Sequence, residues 1–334
     1  MREKMDNKTI LVTGGAGYVG SVLVPNILQK GYNVLIVDTM WYGEEGLNKV
    51  KDFDNLEIIK GDIRNKPLLD KVTKKSDMVV HLASISNDPS FDLNPELGKQ
   101  INYDAVINLV ELSKKNAVER FIYASTGAVY GVKEDPKVTE NLPLNPLTDY
   151  AKYKALGEKI LFNEVDDNFV GTIIRSATVC GYSPRQRLDL VVNILAAHAI
   201  NNRVITVFGG EQKRPNIHID DATNCYMKLI EADSEKINGE VFNIGTENHK
   251  VMKLAIMIKD IIGDDVEINR KDVIDQRSYH LSAEKIRKTL GFVNKKTIKE
   301  AVIDLKNAFE EDKIPNWKDI NYYNVKKIKN LGLA

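Results

Sequence analysis

The run Thr13-Gly14-Gly15-Ala16-Gly17-Tyr18-Val19-Gly20 constrains this chain more than any other feature, because of where it stands. It follows a short β-branched stretch, Thr9-Ile10-Leu11-Val12, and precedes helical apolar spacing that starts at Tyr18 and closes at Gly31. That order reads as strand, tight turn, helix. Residues 34–37, ending at Asp38, supply a second buried strand and complete a βαβ unit. Glycines there let the backbone approach a pyrophosphate, and the helix N-terminus offers unpaired N–H groups and a positive dipole end. A glycine-rich turn alone is as often an unliganded turn, but Asp38 stands about 20 residues on, where a carboxylate accepts hydrogen bonds from an adenosine ribose. It would repel a 2′-phosphate, and no Arg follows at Thr39 or Met40, so NAD is favoured over NADP. Gly14, Gly17, Tyr18, Val19, Gly20 and Asp38 are the first candidate cofactor contacts. Asp62 and Ile63, after a third strand, are two more, with the Asp62 carboxylate facing an adenine amino group.

Further apolar runs at residues 56–59, 78–82, 121–124 and 170–175 read as strands, and residues 102–114 and 150–163 as helices. Continuous apolar strands alternating with helices predict an α/β fold: a doubly wound, parallel Rossmann sheet covered on both faces. The predicted dinucleotide-binding domain spans residues 1–175, with a returning segment near 215–246 that brings residues 241–244 back to the sheet. Residues 176–214 and 247–334 are expected to form a smaller α/β substrate lobe, with helices near 188–200 and 220–230. The stretch 312–334 carries Trp317, Tyr322 and Tyr323 and has no role that the sequence reveals.

Lys plus Arg equals Asp plus Glu at 47 each over 334 residues, so no global field favours nucleic acid or an anionic membrane. The two cysteines, Cys180 and Cys225, have no partner at metal-ligand spacing, so neither a disulfide framework nor a metal is expected. No apolar stretch approaches the roughly 18 residues that a membrane span requires. A soluble, cytoplasmic protein is the expectation.

Tyr150-Ala-Lys-Tyr-Lys154 opens a helix, and its four-residue spacing puts Tyr150 and Lys154 on one face. A phenol of pKa about 10 needs lowering by roughly 3 units, or about 4 kcal/mol, to take a proton near neutrality. One cation about 4 Å away at an effective dielectric near 20 supplies about that much. Tyr and Lys at this spacing also begin many exposed helices. Ser125-Thr126, however, ends the strand at residues 121–124, at the carboxyl edge where open α/β sheets bind ligands.

Taken together the residues resemble the NAD-dependent epimerase/dehydratase family of extended short-chain dehydrogenases. The matches are Thr13-Gly14-x-x-Gly17-x-x-Gly20, Asp38, Gly61-Asp62, His81-Leu82-Ala83, Asn102, Ser125-Thr126-x-x-Val129-Tyr130-Gly131, Pro143-x-x-Pro146 and Tyr150-x-x-x-Lys154. The resemblance implies that Tyr150 is the base, that Lys154 holds the nicotinamide ribose and tunes Tyr150, and that Thr126 bonds the reacting oxygen. It places Leu82, Ala83, Asn102 and Ser125 along the cofactor. It also implies a nucleotide-sugar substrate and a homodimer built on helices beginning near Asn102 and Tyr150, with Val106, Leu109, Val110, Leu156 and Ile160 as compatible apolar positions.

The 4,6-dehydratases of that family carry Asp-Glu directly after the Thr, because eliminating water needs an acid and a base. Here those positions are Gly127 and Ala128. What remains is oxidation at one sugar carbon, C4 by resemblance, followed by return of the hydride to the other face; a 4-dehydrogenase that releases the keto sugar is the alternative. Where many members have Arg-x-x-Asn-Val-Tyr-Gly-Pro, this chain reads Arg175-Ser-Ala-Thr178-Val-Cys180-Gly181, so its substrate contacts differ. Thr178, Arg185, Arg187, Asn193, Arg214 and Arg277 are the candidate phosphate and sugar ligands, since guanidinium groups pair with phosphate bidentately. Ser86 and Asn87, in a polar loop, are candidates for the sugar pocket. His81 and His218 are expected to be structural.

Overall fold

The computed structural model describes residues 8–135, 137–272 and 280–334. Among these residues twelve strands follow one another: β1 Thr9–Thr13, β2 Asn33–Asp38, β3 Leu56–Lys60, β4 Met78–His81, β5 Arg120–Thr126, β6 Val170–Ser176, β7 Thr178–Cys180, β8 Val204–Phe208, β9 Lys213–His218, β10 Glu240–Ile244, β11 Glu247–Lys250 and β12 Glu267–Lys271. Seven of them form one sheet in the order β10-β6-β5-β4-β1-β2-β3, with every neighbouring pair parallel. This is the Rossmann architecture that the alternation of apolar strands and helices predicts.

Alternation along β1 decides how the sheet is covered. Ile10 and Val12 join one buried cluster with Leu23, Val24 and Ile27 of the helix Gly20–Gln29 and with Ala222, Tyr226 and Ile230 of the helix Ile219–Glu231. Leu11 points the other way, into a cluster with Val79, Leu109, Val110 and Leu161. Both faces are therefore covered, and the middles of the central strands, residues 10–12, 34–37, 78–80 and 121–123, are apolar and buried.

Strand order reverses beside β1. The chain passes from β1 out to β2 and β3, then returns to place β4 on the other side, and a crevice opens at the carboxyl ends. In register, Thr13 stands opposite both Val37 and His81, which sets the glycine turn, Asp38 and the loop after β4 at one rim.

Beyond β6 the chain builds smaller sheets, β11-β9-β7 and β12-β8. The returning strand is β10, which pairs with β6, Val241 opposite Ile173. β9 stays in the small sheet instead, so the return begins at the helix Ile219–Glu231. The helix expected over 102–114 starts with a widened turn, Gln100–Asp104, and becomes α-helical at Ala105–Lys115. Of the five apolar positions compatible with a dimer face, Val106, Leu109 and Val110 are buried in the chain's own core. Leu156 and Ile160 are half-buried. Among the described residues no helix is long and apolar enough to cross a membrane.

Candidate active site

The crevice is lined by Gly14, Gly17, Tyr18, Val19, Gly20, Asp38, Asp62, Ile63, Leu82, Ala83, Ser125, Thr126, Tyr150 and Lys154, which share one cleft although they span 141 positions of sequence. The glycine turn is tightly packed: a Cβ on Gly14 would lie 2.7 Å from the Ala83 nitrogen, and one on Gly20 would lie 2.5 Å from the Gly14 oxygen. At Gly17 a Cβ meets only the Gly14 oxygen, at 3.1 Å, so the space it would fill belongs to the cleft. That is a backbone cradle at the start of the helix Gly20–Gln29, and it fits a dinucleotide pyrophosphate. Asp38 accepts the Ala16 and Met40 N–H groups at 3.0 and 2.9 Å. Burial raises its pKa against the pull of those two donors. Asp62, by contrast, is clasped by Arg64, Nη2 to Oδ2 at 2.7 Å, so its carboxylate has a partner within the chain.

At the other end of the cleft, Thr126 ends β5, and its Oγ1 accepts the Ala128 N–H at 3.2 Å. One lone pair is thereby fixed, and the hydroxyl hydrogen has to point elsewhere. Tyr150 stands in the first turn of the helix Asp149–Glu164, capped by Thr148, whose Oγ1 accepts the Ala151 N–H and donates to Asp88 Oδ1 at 2.7 Å. One helical turn on, Lys154 is 3% exposed and donates to the Ala124 carbonyl at 2.8 Å. Burial pushes its pKa down to about 7, opposed by Glu158. Glu158 is itself committed to Arg175, Nη2 to Oε2 at 2.6 Å, and accepts from Ser125 Oγ at 2.5 Å. Ser125 is thus anchored while it lines the cleft. Among the described residues Lys154 has no ion-pair partner, so its charge is held in the buried site against desolvation.

Several expected site residues have other work. Asn102 does not line the cleft: its side chain brackets Ile85, accepting the N–H and donating to the carbonyl, both at 2.9 Å, and so fixes the loop after β4. Asn193 is fully buried, donating to the Arg187 carbonyl at 2.8 Å and the Tyr18 hydroxyl at 3.1 Å. It ties the helix Val191–Asn202 to Tyr18 of the glycine turn and is not among the residues lining the cleft. Arg214 lies on β9, outside the residues lining the cleft. Arg277 lies outside the described residues. Tyr18 lines the cleft, but its hydroxyl donates to the Gly181 carbonyl at 2.7 Å.

Ser86, Asn87, Thr178, Arg185 and Arg187 do line the cleft. Asn87 sits at φ 132°, a region non-glycine residues rarely adopt, and its Oδ1 accepts the Ser90 N–H at 2.9 Å. Arg187 reaches Asp189 at 2.9 Å and Ser86 Oγ at 3.0 Å. His81 is structural, as expected: Nδ1 is 2.7 Å from Thr13 Oγ1 and burial lowers its pKa to about 3. His218 caps the helix Ile219–Glu231 and meets Asp304 at 3.0 Å.

Trp41, Tyr42 and Asn324 also line the cleft and were not legible in sequence. Asn324 opens the helix Asn324–Asn330; its N–H donates to Asp189 at 3.0 Å and its Oδ1 accepts from Arg185 at 2.9 Å. Nothing local distinguishes an asparagine 135 residues from its partner.

A switch-point cleft lined by a glycine cradle, Asp38, Thr126, Tyr150 and Lys154 defines a dinucleotide-dependent oxidoreductase site. The chain belongs to the NAD dependent epimerase/dehydratase family, whose model matches residues 10–245. It is 31% identical over 280 residues, 79% of this chain and 85% of the relative, to the uncharacterized UDP-glucose epimerase YtcB of Bacillus subtilis. A dTDP-D-glucose 4,6-dehydratase of Bos taurus is 29% identical over 331 residues, 93% of this chain and 91% of its own. Among solved structures, UDP-glucuronic acid 4-epimerase from Bacillus cereus, in complex with UDP-glucuronic acid and NAD, superposes with a TM-score of 0.82 at 26% identity, covering 91% of this chain and 99% of that one.

Proposed function

We propose that this enzyme is a nucleotide-sugar 4-epimerase acting in the cytoplasm as a homodimer. Bound NAD supplies an acceptor and donor of hydride. Tyr150 takes the proton from the sugar hydroxyl, and Lys154 favours the phenolate by its charge. Thr126 donates to the same oxygen and fixes its position. Ser86, Asn87, Thr178 and Arg187 hold the sugar and its diphosphate, and the proton returns from Tyr150 when the ketone is reduced on its opposite face.

The observation that carries this reading over a dehydration is the pair of residues after Thr126: Ala128 lines the cleft without a carboxylate. Gly127 lies against Leu281, where a Cβ would come within 2.8 Å of Leu281 Cδ1, so no carboxylate side chain fits without displacing it. The carboxylates among the described lining residues are Asp38, Asp62 and Asp88. Asp38 and Asp62 lie at the glycine-turn end, and Asp88 is bonded to Thr148. A relative named as a UDP-glucose epimerase and a solved structure named as a UDP-glucuronic acid 4-epimerase support the same reaction. Incubation with UDP-glucose, UDP-glucuronic acid, UDP-N-acetylglucosamine, dTDP-glucose and GDP-mannose, followed by NMR, tests it. At least one sugar is expected to invert at C4, and Tyr150→Phe to lower the rate by about 10³-fold. Accumulation of a 4-keto sugar with stoichiometric NADH would instead establish a dehydrogenase.

A further inference from the structure

We infer that Arg185 is a ligand for the cofactor's pyrophosphate, not for the sugar nucleotide, and that Asn324 in the C-terminal segment holds it there. The inference rests on the NAD site and is independent of which sugar is turned over.

Arg185 is 5% exposed, yet among the described residues no carboxylate lies within ion-pair distance of it. Its Nη2 donates to Asn324 Oδ1 at 2.9 Å, while its buried Nε has no partner. The neighbouring Arg187 is different: Asp189 neutralises it at 2.9 Å. Arg185 feels Asp189 and Asp38 only from beyond bonding distance, and is the less compensated charge of the pair. Burial and Arg187 together bring its pKa down to about 10. A guanidinium buried without an anion is strongly destabilising unless a ligand completes it.

Its position says which ligand. The Arg185 N–H donates to Ser21 Oγ at 3.2 Å, and Ser21 is in the first turn of the helix that follows the glycine cradle. Its guanidinium lies 4.0 Å over the ring of Tyr42, four residues past Asp38. A Cβ on Gly46, in the loop after β2, would touch the Arg185 Cβ at 3.0 Å. All three contacts belong to the glycine-turn and ribose end of the cleft, whereas Thr126, Tyr150 and Lys154 stand on β5 and its following helix. A diphosphate at the cradle presents paired oxygens to the fork of a guanidinium. The second lobe and the C-terminal segment thereby close over the dinucleotide, so that releasing it requires Asn324 to move.

The test compares wild-type, Arg185→Met, Arg185→Lys and Asn324→Ala proteins, stripped of nucleotide, by calorimetric titration and thermal shift with NAD, ADP-ribose, adenosine and UDP. Arg185→Met is expected to weaken NAD and ADP-ribose by about 30-fold while adenosine and UDP bind as before. Asn324→Ala should weaken the same two ligands by about 5-fold, and Arg185→Lys should fall between. Should Arg185→Met fail to fold, the other two variants carry the test. Unchanged NAD affinity in the variants, or loss of UDP binding with NAD retained, would overturn the inference. Absence of NAD binding by the wild-type protein would remove the cofactor site itself.

Discussion

At the scale of single residues, the site is a set of buried charges, each kept for a purpose. Lys154 is the clearest. Its pKa near 7 in the fold against about 10.4 in the unfolded chain means the native state resists the charged form. Between those values the unfolded chain binds more protons, so stability rises with pH; the full penalty applies below about pH 7 and vanishes above about pH 10.5. Lys154→Met is therefore expected to abolish turnover while stabilising the nucleotide-free protein by up to about 4 kcal/mol at neutral pH. Melting temperature against pH checks it: the wild-type curve should climb from about pH 7 to 10, and the variant should lose that climb. Lys154 was legible as a residue of the cleft, whereas Asn193 lies outside its lining. A Tyr-Lys pair at helical spacing has few structural uses when buried, whereas an asparagine at a lobe boundary has as many backbone partners as ligand partners. Asn193 spends its side chain on Gly181, Arg187 and Tyr18.

At the scale of elements, the helix Asp149–Glu164 carries Tyr150 and Lys154, and its start is fixed by one residue. Thr148 caps it and also anchors Asp88 in the loop after β4. Thr148→Ala is expected to cost about 1 kcal/mol of stability, as capping losses do. It should also raise KM for the nucleotide sugar more than it lowers kcat, because the loop with Ser86 and Asn87 loosens while Tyr150 remains. Thermal melts and steady-state kinetics measure both. Strands β1 to β6 could be read within two residues at either end because each holds a short apolar run, buried on two faces in all but the edge strand β3. β12, Glu267–Lys271, could not, since a mostly exposed edge strand of sequence EINRK shows no apolar pattern. The turn at Gln100–Asp104 was read as ordinary helix because its widening comes from Asn102 reaching back to Ile85, a contact that no helical periodicity encodes.

At the scale of the whole molecule, the central idea is that both lobes and the C-terminal segment enclose one cleft. Ile314, Tyr323 and Ile328 are buried, and Asn324 lines the site. Removing residues 312–334 is expected to cost about 5 kcal/mol of apolar burial, or about 10 °C in melting temperature. The truncated protein should also lose NAD on gel filtration where the full chain keeps it. The segment's role was invisible in sequence because every partner of Asn324 lies at least 135 positions away. Enclosure matters for chemistry: a hydride taken from one face of a sugar must return to the other before the ketone or the dinucleotide escapes. The most direct measurement uses nucleotide sugars deuterated at C4, drawn from the UDP, dTDP and GDP series, with the product analysed by NMR. The account predicts an inverted C4 that keeps its deuterium, with none in solvent and no free ketone. Deuterium lost from C4, or inversion that persists in Tyr150→Phe at the wild-type rate, would contradict it.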